Sequence, residues 1–157
     1  MVEFLILLGS ALLGTLGYSI LLRVELRLLP TVTLLGVLSF AVYALFDYLT
    51  ADLFIANFVG ALFASVSGYL MAILHRAPAT MFYTSAIIPL VPGGLLYHTM
   101  YAAIKANGAN FLKYGRESLL IGLGIASGII LGVIAVRITR DLIARFLSCR
   151  ENRGRKI

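Results

Sequence analysis

Charged residues and cysteine are both scarce in this sequence. Asp, Glu, Lys and Arg make up 13 % of its 157 residues, about half the share that is usual in soluble domains. So few charges cannot cover the surface of a small soluble domain, which excludes an ordinary cytosolic enzyme and a disordered tail. The single cysteine, Cys149, allows no internal disulfide and no cysteine metal cluster.

Motifs that carry catalysis are missing as well. The sequence contains no HExxH motif, no phosphate-binding P-loop and no recognisable Ser/His/Asp set. Gly122 and Gly124 lie inside a hydrophobic segment and not in a nucleotide-binding loop. We therefore predict neither an enzyme nor a bound cofactor or metal.

Apolar residues, by contrast, make up 61 % of the chain, which is more than soluble proteins carry. The excess fits a lipid environment, in which outward-facing side chains are apolar too. At about 20 residues per spanning helix, five spans use roughly 100 residues and leave short loops. The sequence predicts an all-α integral membrane protein with one membrane domain, a bundle of about five transmembrane helices. The predicted spans are 2–22, 31–49, 53–74, 79–103 and 118–136, followed by a basic amphipathic cytoplasmic tail, 137–157.

Basic residues are distributed unequally between the two ends of these spans. The net charge is +6, and seven of the 13 Lys and Arg residues lie at or after Arg137. A basic cluster directly after a hydrophobic span is typical of a cytoplasmic flank against anionic lipid, so we predict membrane lipid and no nucleic acid as its partner. Together with Arg23, Arg27 and Arg76, ten basic residues fall on one side, against three on the other. This distribution predicts an external N-terminus and a cytoplasmic C-terminus.

Small residues recur four positions apart in three of the predicted spans. Such spacing forms a groove in which another helix backbone can approach closely. We therefore predict tight packing of these spans against helices of this chain or of a partner. The residues concerned are Gly60, Ala64 and Gly68 in the third span, Gly124, Gly128 and Gly132 in the fifth, and Ser10 and Gly14 in the first, with Gly17 one turn further.

The fourth span is interrupted near its midpoint by the sequence PLVPGG, residues 89–94. Pro89 and Pro92 each remove a backbone donor, so the carbonyls of Ser85 and Ile88 lose their α-helical partners. Free backbone groups at this depth are tolerated only where protein buries them or a polar cavity meets them. The motif predicts a discontinuous helix that lines an internal cavity near the bilayer centre. The alternative is a simple proline kink filled by neighbouring side chains.

A break at this point makes a new helix begin at about Gly93. The first amides of that helix are unpaired and lie at the positive end of its dipole, which favours a carboxylate. Discontinuous helices in secondary transporters present their starts to anionic substrate groups in this way. The predicted substrate-binding residues are Pro89, Pro92, Gly93 and Gly94 at the break, and Tyr97, Ser85 and Thr84 beside it, with Tyr83 adjacent.

Two residues within the spans, Asp47 and His98, can titrate readily. Ionisable residues at this depth usually face a cavity or each other, so the two are candidates for proton coupling. The alternatives are that Asp47 reaches interfacial water and that a neutral His98 bonds to a neighbouring helix. For Asn57 we predict a hydrogen bond between helices.

Residues 78–82 (PATMF) and 87–97 (IIPLVPGGLLY) together resemble the threonine/serine exporter family, in particular its C-terminal membrane half. That half is a separate small protein in many bacteria. The resemblance covers nearly the whole chain, with two departures, His98 and a Phe40 where Trp is common. It implies a bacterial inner-membrane exporter of threonine and serine, or of a dicarboxylate such as succinate in some relatives. It also implies a second membrane subunit and a homo- or hetero-oligomer. A non-transporting membrane scaffold is the alternative.

Overall fold

The computed structural model describes the backbone of residues 2–154 and the side chains of residues 6–140. Within these limits the chain consists of helices and short connections. The α-helices are α1 (Val2–Leu21), α2 (Leu29–Thr50), α3 (Leu53–His75), α4 (Ala79–Ile87), α5 (Gly93–Ile104) and α6 (Gly108–Gly154), and one 3₁₀ turn, Ile88–Leu90, follows α4.

The connections are short because the helix ends are well defined. Pro30 lies in the first turn of α2, where its missing N–H has no intrahelical partner to lose. The Asp52 side chain caps α3 by accepting a hydrogen bond of 2.9 Å from the Phe54 amide. Ala51 and Arg76, in the left-handed conformation, end α2 and α3. These ends make α2 and α3 an antiparallel pair.

Helix α3 lies at the centre of the bundle and packs against α2, α4 and α6. Its contact with α6 follows the predicted row of glycines. A Cβ on Gly128 would come within 2.5 Å of the Phe58 carbonyl oxygen and 2.9 Å of the Ala61 Cβ. Gly124 and Gly132 lie as close to the same face of α3. The predicted close packing of α6 is therefore found within this chain.

The small residues of α3 itself serve two further contacts. A Cβ on Gly60 would lie 2.8 Å from the Leu90 Cδ2 and 3.1 Å from the Tyr43 Cβ. The absence of a side chain at Gly60 therefore allows α2 and the 3₁₀ turn to pack closely on α3. A Cβ on Gly68 would lie 3.0 Å from the Tyr83 amide nitrogen, so Gly68 admits α4. The half of the fourth span that precedes the break is thereby held in the core.

Helix α1 packs on α2, but the contact does not involve the predicted small residues of α1. Gly36 of α2 lies directly against the buried Thr15 side chain. Gly14 and Gly17 face away, with no atom within 4 Å of a Cβ on either. The predicted groove on α1 thus has no occupant among the described residues. Hydroxyls at this contact are satisfied locally, because Ser19 donates to the Thr15 carbonyl at 2.7 Å.

Among the described residues, three helices are long and apolar enough to cross a membrane, namely α2, α3 and residues Gly108–Arg140 of α6. The described part of α1, Ile6–Leu21, is a shorter apolar helix. Helix α6 begins at Gly108, whereas the fifth predicted span begins at residue 118, because polar side chains at the membrane surface are compatible with helix. The predicted amphipathic tail, 137–157, lies outside the residues whose side chains are described, except for 137–140, and Cys149 lies outside them as well.

The remaining two helices, α4 and α5, join at a bend of 56°. The segment before the break and α5 each rise about 18–20 Å. At this bend the pair advances about 30 Å in one direction, which matches the thickness of the hydrocarbon core. A re-entrant hairpin would reverse direction, so the pair fits a single bent span. The all-helical membrane bundle with a broken fourth helix is confirmed.

Candidate functional site

The break between α4 and α5 is a short extended segment between two helices. After α4 the chain tightens into the 3₁₀ turn Ile88–Leu90, so the Ile88 carbonyl accepts a hydrogen bond of 3.2 Å from the Val91 amide. This 3₁₀ bond replaces the α-helical partner that Pro92 cannot provide. The Gly93 amide then donates to the Val91 carbonyl at 2.8 Å. Both prolines therefore act as predicted and end the first half-helix.

Helix α5 begins without a cap. Pro92 occupies the N-cap position and offers no side-chain hydrogen bond, and the first intrahelical bond runs from the Leu96 amide to the Pro92 carbonyl at 3.0 Å. The amides of Gly94 and Leu95 have no backbone partner or side-chain cap among the described residues. Two donors at the positive end of a helix dipole are thus available to an anion.

The surface around this helix start is open. Gly93 and Gly94 are exposed, and a Cβ on either would meet no atom within 4 Å. The sequence predicts an internal cavity here, but the helices of this chain do not enclose one at these glycines. The reason is the bend, which turns α5 away from the core so that it packs mainly on α6.

Ser85 and Ser118 are the two buried hydroxyl residues of the described part of the chain that lack a hydrogen-bond partner, and Ser85 lies near the break. Its side chain is fully buried, and its Oγ has no hydrogen-bond partner among the described residues. Most other buried Ser and Thr residues bond to the carbonyl four residues earlier, as Ser39 does to Leu35 at 2.9 Å. Thr84, beside Ser85, follows that pattern and donates to the Thr80 carbonyl. A buried polar atom without a partner requires an explanation, and Ser85 is one turn before Pro89.

Tyr97 and His98 belong to an aromatic cluster on α5 and α6. The His98 ring lies 5.6 Å from the Tyr97 ring and 5.5 Å from the Tyr114 ring, centroid to centroid. Tyr97 also stacks on Tyr101 at 6.3 Å and is 65 % exposed. The cluster lies on the C-terminal side of the break, where aromatic side chains are common at a membrane surface.

The two predicted titratable residues are not brought together. Asp47 lies near the end of α2, which packs on α1, α3 and α4, whereas the aromatic neighbours of His98 are on α5 and α6. The prediction for Asn57 is also corrected. Its Nδ2 donates to the Leu53 carbonyl of its own helix at 2.7 Å, because Gly124 brings the α6 backbone against the Asn57 Cβ and the amide turns along α3.

One group of residues has no counterpart in the predicted site. A cavity of about 470 Å³ lies at the loops that precede α2 and α4, and it is lined by Glu25, Arg27, Leu28, His75, Arg76, Ala77, Pro78 and Met81. In the sequence, the arginines indicate only the orientation of the chain. The signal that could have revealed the cavity is the charged residues of both signs in two loops on one side of the bundle. Among the described residues, no group of three or more His, Cys, Asp or Glu could hold a metal ion.

Comparison with known proteins yields one match. A family model described as threonine/serine exporter, ThrE, matches residues 8–135. No curated protein and no solved structure matches the chain. The matched region extends from α1 into α6 and contains the whole of the broken span. This chain is therefore a multi-pass membrane protein that belongs to the threonine/serine exporter (ThrE) family.

Proposed function

We propose that this chain is a membrane subunit of a bacterial secondary exporter that carries threonine and serine and binds their carboxylate at the start of α5. The observation that carries the proposal is the uncapped helix start, where the amides of Gly94 and Leu95 are free and no Cβ blocks the approach. Two backbone donors and a helix dipole favour a carboxylate over a neutral group.

Other groups near the break complete the proposed site. The Ser85 hydroxyl has no hydrogen-bond partner but is fully buried, so a substrate oxygen or ammonium group would reach it only inside the core of the bundle. Tyr97 lies one helical turn after Gly93 on the exposed side of α5 and offers a second hydroxyl. Pro89 and Pro92 contribute by maintaining the break, and Thr84 by its polar side chain. The proposal involves translocation without covalent chemistry.

A second membrane subunit is part of the proposal, because this chain leaves the site open. Gly93, Gly94 and the neighbouring large side chains Leu96, Tyr97 and Met100 are all exposed. A free helix start near the bilayer centre is tolerated only if protein or a polar cavity surrounds it. We propose that the second subunit covers this open side of the site, in a complex that contains one or several copies of each subunit.

The orientation and the coupling ion also belong to the proposal. The excess of basic residues on the side of the C-terminus supports a cytoplasmic C-terminus and an external N-terminus in the bacterial inner membrane. Asp47 and His98 remain candidates for proton coupling, acting separately, since this chain does not bring them together.

Transport by reconstituted vesicles tests the proposal. The chain is reconstituted alone and together with its partner subunit, and export of labelled L-threonine, L-serine and succinate is measured. We expect threonine and serine export that requires both proteins. Succinate export without threonine export would favour the dicarboxylate alternative. Full export by the chain alone would contradict the partner, and no transport of any probe by the complex would leave the scaffold alternative.

A further inference from the structure

The cavity lined by Glu25, Arg27, His75 and Arg76 lies at the opposite end of α4 from the break. We propose that it is the site at which the exporter first binds its substrate, a zwitterionic amino acid, on the side of the membrane that carries the basic tail. This inference rests on the proposed function and adds a second, loading site to it. The name loading site is used below for this cavity.

The size and position of the cavity suit this role. Its volume of about 470 Å³ falls within the range of small-molecule pockets. Buried Leu28 and half-buried Met81 form an apolar floor, and His75 stacks on the fully buried Phe82 with ring centroids 6.0 Å apart. The charged side chains thus surround apolar residues that pack into the core of the bundle.

The charges around the cavity are complementary to a zwitterion. Arg27 and Arg76 favour a carboxylate, and Glu25 favours an ammonium group. Among the side chains of residues 6–140, no Lys, Arg or His nitrogen lies within 4.0 Å of a carboxylate oxygen. The two arginines and the glutamate therefore do not form ion pairs with one another. Nearby Arg140, in contrast, donates to the Tyr69 hydroxyl at 3.1 Å.

The start of α4 adds to the attraction for a carboxylate. Pro78 lines the cavity and is the N-cap of α4, without a side-chain hydrogen bond, so the positive end of the α4 dipole lies beside the cavity. A phosphate group of an anionic lipid would also be attracted by the arginines, but Glu25 repels it. A zwitterion satisfies both signs of charge, so we favour an amino acid as the occupant.

The loading site and the break are the two ends of one short segment. From Ala79 to Leu90 the chain rises about 20 Å, roughly two thirds of the ~30 Å thickness of the hydrocarbon core. A substrate bound at the start of α4 thus lies at the membrane surface, and one bound at the start of α5 lies near the centre. Both positions offer an uncapped helix start.

Transport kinetics with three related probes test the loading site. Membrane vesicles from the native host are prepared with the cytoplasmic face outward, and transport of L-threonine, 3-hydroxybutyrate and threoninol is measured. The second probe lacks the ammonium group and the third lacks the carboxylate. The variants are Arg27→Gln, Arg76→Gln and Glu25→Gln, with Arg23→Gln as the control, since Arg23 is in the same loop but does not line the cavity.

We expect Arg27→Gln and Arg76→Gln to raise the KM for threonine about three- to tenfold, the loss of one exposed charge-assisted contact, with kcat within twofold. Glu25→Gln should raise the KM for threonine in the same way but leave that for 3-hydroxybutyrate unchanged or lower. Threoninol should be insensitive to the arginine variants. The effects should be absent when threonine is presented to the external face.

Several results would overturn the loading site. One is an equal rise in the KM for threonine in the Arg23→Gln variant, which would show that the general surface charge, and not the cavity, attracts the substrate. A second is that the effects of the variants on KM disappear when the exporter is reconstituted in vesicles of neutral phosphatidylcholine. That result would show that the arginines bind an anionic lipid and not the substrate. A third is unchanged KM in every variant while wild-type vesicles transport threonine. Absence of threonine transport by the wild type, compared with vesicles lacking the chain, would overturn the proposed function as well.

Discussion

The close contact between α3 and α6 makes a quantitative prediction at Gly128. The Cβ introduced by Gly128→Ala would lie 2.5 Å from the Phe58 carbonyl oxygen, 2.9 Å from the Ala61 Cβ and 3.0 Å from the Leu62 amide nitrogen. Two of these three atoms belong to the backbone and cannot move by changing a rotamer. The helices must therefore separate, and overpacking of this kind costs about 1–3 kcal/mol.

A matched control isolates that cost. Gly122 lies on the same helix, and a Cβ there would meet no atom within 4 Å. Alanine is favoured over glycine in a helix by about 0.8–1.0 kcal/mol, and both variants gain this amount. The difference between Gly122→Ala and Gly128→Ala is therefore the packing cost alone. It corresponds to a difference of several degrees in Tm, with roughly 2–4 °C per kcal/mol for a chain of this size.

Thermal unfolding of the purified protein in detergent, followed by circular dichroism, measures this difference. We expect Gly122→Ala to unfold at or above the temperature of the wild type, and Gly128→Ala to unfold below both. If Gly128→Ala were as stable as Gly122→Ala, the α3–α6 contact described above would be incorrect.

Three further predictions concern the break and the orientation. Replacing Pro89 and Pro92 together by Ala restores two backbone donors, so α4 and α5 should merge into one helix; export per folded molecule should fall at least tenfold while the unfolding temperature is retained. Tyr97→Phe removes one hydroxyl and keeps the ring, so export should fall only about two- to fivefold, and an unchanged KM and kcat would remove Tyr97 from the site. For the orientation, single cysteines are introduced at Arg76 and Ala51 in a chain whose native cysteine is replaced. The cysteine at position 76 should react with a membrane-impermeant maleimide only from the cytoplasm, and the one at position 51 only from outside. The opposite pattern would show that the orientation is inverted.

The sequence was sufficient to predict the break and the close packing of α6, because both depend on backbone chemistry. Pro89 and Pro92 end a helix wherever they occur in its interior, and the structure bends there by 56°. Glycines at four-residue spacing, such as Gly124 and Gly128, are suited to close approach in a membrane. Proline has this effect in most surroundings, so its position is informative without knowledge of the fold.

Other features depend on which faces meet and were not predictable. Gly14 follows the same small-residue pattern but faces open space, whereas the unpatterned Gly36 receives the Thr15 side chain. The loading site requires two loops to be adjacent, one with Arg27 and one with Arg76. Residue spacing along a single helix does not contain that information.

The start of α5 is the proposed binding site for the substrate carboxylate, and the Gly94→Leu variant is the best test of it. A Cβ at Gly94 meets no atom of this chain within 4 Å, and the position is exposed, so the variant should fold as well as the wild type. It covers the free amides of Gly94 and Leu95, however, and prevents a carboxylate from reaching them. The measurement is L-threonine export by the reconstituted two-subunit exporter, normalised to folded protein, with Gly122→Leu as the control.

We expect Gly94→Leu to reduce normalised export at least tenfold with an unchanged unfolding temperature, and Gly122→Leu to retain export. Normal export by Gly94→Leu would contradict the claim and leave residues 89–94 as a packing feature of the fold.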